Sequence, residues 1–157
     1  NECGGSSGKL VDLEASGADG PVVALHRGNP PASWNRPAAG AHPDPDTARA
    51  AVAKRAEGKS EIAVHLVPED GAWIATVTWD TGQYGELGNA VREGHLLKVD
   101  GSGVTVLEDW TYGHILASRD LLGTGEHVRI FTDGCSTWAV DAHGTRLNET
   151  EGTCCGC

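Results

Sequence analysis

A chain of 157 residues with a formal net charge of -10 sets twelve Lys and Arg against twenty-two Asp and Glu. That balance repels phosphate backbones and anionic lipid, so nucleic acid is not expected as a partner. No apolar run approaches the roughly eighteen residues of a membrane span, and the length suits one domain able to bury a core of its own.

Residues 1–20 read as a Gly/Ser-rich arm in which Cys3 interrupts linker composition. Methionine is absent, so Asn1 is expected to be a processed or cut end, and export is the expectation that goes with it. Residues 21–150 read as a single β-rich body that opens on a strand at Val22-Val23-Ala24-Leu25. Pro30, Pro31, Pro37, Pro43 and Pro45 then impose a structured loop, which Trp34 is expected to pin to the core. A short Ala-rich helix follows near residues 46–57, with Asp46 as the expected N-cap and Gly58 as its stop. Ala48, Ala51, Val52 and Ala56 give it a thin apolar stripe suited to close packing on a sheet. Arg49, Lys54, Arg55 and Lys59, the one basic cluster, read as a solvated helix face.

From residue 61 the apolar period changes from helical to alternating. Ile62, Val64 and Leu66 lead into Asp70-Gly71, and the return strand sets Trp73, Ala75, Val77 and Trp79 on one face. Leu97 and Val99 lead into Asp100-Gly101, with Val104, Val106 and Trp110 returning; Val128 and Ile130 lead into Asp133-Gly134, with Trp138 and Val140 returning. Between the last two, residues 116–122 read as a helical turn. The expected fold is therefore mainly β (α+β): an antiparallel sheet of three successive hairpins plus the N-terminal strand, with one short helix. A β-sandwich is the alternative.

The chemistry gathers at the end. Residues 151–157 form a Cys-rich tail in which Cys154, Cys155 and Cys157 crowd together, and only Cys3 and Cys135 carry thiols elsewhere. Outside a reducing compartment all five are candidates for disulfides. Adjacent Cys154 and Cys155 are expected to take different partners, and an odd total leaves one thiol free, modified or bonded to another chain. The rival is a zinc site made by Cys135, Cys154, Cys155 and Cys157 as four thiolates; otherwise no cofactor is expected. Seven histidines are scattered without a chelating spacing. Gly4-Gly5-Ser6-Ser7-Gly8 matches a nucleophile elbow in letters only, because no strand precedes it and no helix follows. Trp34 and Trp110 are the candidates for an exposed stacking platform, which makes a carbohydrate-binding domain a further alternative. These residues lean away from an enzyme. They point to an exported, disulfide-tied structural or binding module of the extracellular space or cell envelope. Its expected partners are further copies of itself or other surface proteins.

Overall fold

The computed structural model describes residues 40–85, 90–110, 113–121, 124–133 and 136–151, and for Trp110 and residues 148–151 it describes the backbone alone. Among the described residues, one helix, α1 (Pro45–Ala53), continues as a 3-10 turn through Ala56 and is followed by eight strands. They are β1 (Ser60–Glu69), β2 (Ala72–Tyr84), β3 (Ala90–Asp100), β4 (Gly103–Trp110), β5 (His114–Arg119), β6 (Val128–Thr132), β7 (Ser136–Val140) and β8 (Arg146–Glu151). They form two antiparallel meanders of four, ordered β1-β2-β3-β4 and β5-β6-β7-β8. The chain is thus mainly β, as its alternation predicts, and all three anticipated hairpins form. They do not share one sheet: the first two belong to one sheet and the third to the other. The expected strand at residues 22–25 lies outside the described residues.

The first sheet is covered on both faces. Ala48, Val52 and Ala56 of the helical segment pack on Ala75, Val77, Trp79, Leu97 and Val99. Small side chains there let the helix approach the sheet closely. The opposite face presents Val67, Ile74 and Leu96 to Ile115, Phe131 and Trp138 of the second sheet. Strand β2 is the middle of three layers, which is why Ala72 and residues 74–79 are all buried.

Two sequence expectations need correction. Asp44, not Asp46, caps α1: its carboxylate accepts from the Thr47 backbone N–H at 2.9 Å, and Pro45 occupies the first helical position, where its missing N–H costs nothing. Gly58 does close the segment, at φ +80°. Residues 114–119 are strand β5 and not a helical turn. Pairing with β6 overrides the Leu-Ala composition, and an irregularity between Ile115 and Ala117 hides the alternation that would have announced a strand.

The helical segment also reaches one carbonyl on each outer strand of the sheet. Two-residue turns close Glu69 on Ala72 and Asp100 on Gly103. Counting alternately from those closing pairs, Val64 and Val104 direct their backbone groups outward from the sheet. Arg49 donates to the Val64 carbonyl at 2.8 Å, and Arg55 donates to the Val104 carbonyl at 3.0 Å. The basic cluster is therefore more than a solvated face, and Lys59 adds a cation–π contact over Trp79.

Candidate functional site

The richest cluster of chemistry-bearing side chains lies where the β1–β2 hairpin meets β5 and β6. Glu69 sits at the hairpin's closing pair, Asp70 in its turn, Ser118 near the end of β5, and His127 and Arg129 where β6 begins. Arg129 grips Glu69 through two bonds, Nε to Oε2 at 3.1 Å and Nη2 to Oε1 at 2.9 Å. The side chains of Arg129 and Glu69 are only 18% and 16% exposed. The Ser118 hydroxyl donates to Glu69 Oε2 at 2.5 Å and lies 3.1 Å from His127 Nδ1, while His127 Nε2 stands 3.6 Å from Asp70 Oδ2. Burial opposes the charge on Glu69, but the Arg129 guanidinium and the Ser118 hydroxyl outweigh it and hold its carboxyl below the usual carboxylate range.

Serine, histidine and carboxylate in a row invite comparison with a hydrolytic triad, but the protons point the wrong way. A hydroxyl has one proton, and the short bond gives it to Glu69. Ser118 then accepts from His127 Nδ1–H, so the imidazole acts as donor and cannot serve as base toward this hydroxyl. Ser118 is also 0% exposed, so no substrate carbonyl can approach it. The arrangement works as a clamp between sheets: Arg129 and Ser118 both bond Glu69, and His127 lies against Ser118. It was missed in the sequence because Glu69 and Arg129 are 60 positions apart and Ser118 and Glu69 are 49 apart.

A second meeting of the sheets pairs His65 of β1 with His114 of β5, their rings stacked at 4.1 Å and 19°. Burial lowers the basicity of both rings, and for His65 the neighbouring His114 and Arg49 add to the effect. A cleft of about 270 Å³ opens between the sheets beside Leu96, Leu107, Arg129, Phe131, Val140 and His143. Among the described residues no group of three or more His, Cys, Asp or Glu is placed to hold a metal ion.

All the sequence-nominated sulfur atoms, at Cys3, Cys135, Cys154, Cys155 and Cys157, fall outside the described residues, as does Trp34. Trp110 ends β4, with its backbone alone described. Trp79 and Trp138 are core residues, and Trp73 is tied down by donating to the Pro43 carbonyl at 2.8 Å. No helix among the described residues is long and apolar enough to cross a membrane. Comparison with protein-family models, with curated proteins and with solved structures returned no match.

Proposed function

We propose that this protein is an exported, disulfide-tied structural or binding module, a building block of an extracellular or cell-surface assembly rather than an enzyme. One observation carries the reading. Strand β8 pairs with β7 so that Glu151 lies opposite Ser136. Ser136 follows Cys135 in sequence, and Glu151 stands three positions before Cys154. Three residues span at most about 10 Å of extended chain. Along the sequence, the β7–β8 pairing thus ends one residue from Cys135 and three from Cys154, so the Asp133-Gly134 turn and the tail start from neighbouring positions. A bridge between that turn and the tail would fasten the last strand of the second sheet. The closed clamp around Ser118 supports the non-enzymatic side of the reading, because it consumes the one serine–histidine–carboxylate series among the described hydrogen bonds.

The same register favours a second reading, in which Cys135, Cys154, Cys155 and Cys157 hold zinc as four thiolates. Electrophoresis with and without reductant, together with metal analysis of protein purified without added metal, separates the two. Reductant-sensitive species and bridged peptides support the disulfide module. Stoichiometric zinc with no bridged peptide overturns it in favour of the metal site.

A further inference from the structure

The two outer strands of the first sheet are treated unequally. Strand β1 is interrupted at three points, with only the Leu66 backbone pair and the Val64 N–H left facing outward between them. Pro68 occupies an outward position and offers no N–H, Arg49 occupies the Val64 carbonyl, and an irregularity between Ser60 and Ala63, with Glu61 at φ +49°, breaks the strand's far end. On the outward side of β4, the Val104 carbonyl alone is occupied by a described residue, Arg55. Val106, two positions on, directs its backbone outward by the same alternation, and no described residue bonds to it there. Its side chain is 44% exposed and that of Leu107 is 40% exposed. Alongside runs an open groove of about 640 Å³ between α1 and β4, with Ala50, Ala51 and Val104 forming its apolar part and Lys54 and Arg55 its basic rim.

We propose that β4 is a docking edge for a second copy of this chain, joined antiparallel across a two-fold axis at Thr105. This inference rests on the assembly reading above and supplies it with a joint that needs no sulfur. Val104 and Val106 are the residues whose backbone groups point outward. Setting Val104 opposite the second copy's Val106, and the reverse, lets each pair exchange both of its backbone hydrogen bonds. The two exposed Thr105 side chains then meet as a cross-strand pair, a favourable combination on a sheet. Val104 and Val106 stand opposite Val99 and Leu97 on the helix side of the sheet. Each copy's Val106 therefore enters the groove beside the other's Ala50 and Ala51. An antiparallel join also brings the exposed Asp109 of one β4, which lies on the helix side where it meets its own His95 at 3.0 Å, toward the other copy's Lys54 and Arg55. That local complementarity selects a second copy in spite of the chain's overall negative charge. Arg55 occupies the Val104 carbonyl in a single copy and gives it up to the incoming Val106 N–H. Eight strands would then run as one sheet, bordered on both sides by the interrupted β1 edge.

The test is sedimentation equilibrium of the full chain, in reductant so that sulfur bridges cannot contribute. The expected result is a concentration-dependent dimer that weakens as salt is raised. Val106→Pro removes the outward N–H without touching the ladder to β3, and Val106→Lys sets a cation against the other copy's Lys54 and Arg55. Each is expected to give a single-copy mass with an unchanged circular dichroism spectrum. A monomer at every concentration overturns the proposal, which is also the outcome if residues 1–39 of the same chain cover this edge. A dimer undiminished in both folded variants overturns it too. A reductant-sensitive bridge found alongside a monomer in reductant would sink this joint while leaving the disulfide module standing.

Discussion

Replacing Glu69 with Gln keeps the shape of the inter-sheet clamp and removes its charge. The Arg129–Glu69 contact is 2.9 Å at its shorter oxygen. With charge centres about 4 Å apart and an effective dielectric of about 20, the gross attraction is about 4 kcal/mol. Removing one partner of a nearly buried pair also strands the other charge, and such changes cost about 3–5 kcal/mol when burial is complete. Residual exposure of 16–18% moves the expectation for Glu69→Gln to about 3 kcal/mol. Urea unfolding at neutral pH reads this as a lower midpoint at constant slope. The pH dependence gives an independent check. Because the folded-state carboxyl is held below its ordinary range, its contribution is present above the unfolded value and is lost as pH falls through the folded value. The gap between wild type and Glu69→Gln should therefore close in acid. Replacing both Glu69 and Arg129 with leucine should cost less than replacing Arg129 alone, since no stranded charge remains. A Glu69→Gln loss below about 0.5 kcal/mol, with no pH dependence, would mean that water already screens the pair and that the clamp reasoning is wrong.

Other outcomes follow from the same contacts. A fluorophosphonate probe should leave Ser118 unlabelled in the native protein, and labelling detected by mass spectrometry would restore a hydrolytic role. Gly94→Ala should destabilise the fold by about 2 kcal/mol or more, because a Cβ there would strike the Val77 carbonyl and the Thr78 backbone across the β2–β3 ladder; a thermal midpoint equal to wild type would refute that closeness. The His65–His114 stack should make the protein less stable as pH falls below about 6.5, the ordinary histidine value. Both rings are less basic when folded, so the unfolded chain binds more protons in that range. Replacing both with phenylalanine should flatten the dependence of the urea midpoint between neutral and mildly acidic pH, and an unchanged slope would refute the assignment.

The strands that announced themselves were those with clean alternation or an Asp-Gly turn. Trp73, Ala75, Val77 and Trp79 do share the helix side of β2, with Ile74 on the other face against the second sheet. Strand β5 was hidden because an irregular register breaks its period. The division into two sheets was hidden as well, since alternation shows which face is apolar and not which sheet a hairpin joins. The clamp was illegible for a different reason. Glu69 reads as a turn residue, and its meeting with Ser118 and Arg129 exists only once the sheets stack. The two arginines that each bond one carbonyl on an outer strand read as ordinary solvated helix residues, because their acceptors are 15 and 49 positions away.

The reading as a disulfide-tied module turns on the oxidation state of the five thiols. Native protein isolated under alkylating conditions and mass-mapped without reductant should carry no more than one modified cysteine, with a bridge joining Cys135 to one of Cys154, Cys155 or Cys157. Alkylation of all five cysteines in that material would contradict the account of an exported, sulfur-tied building block.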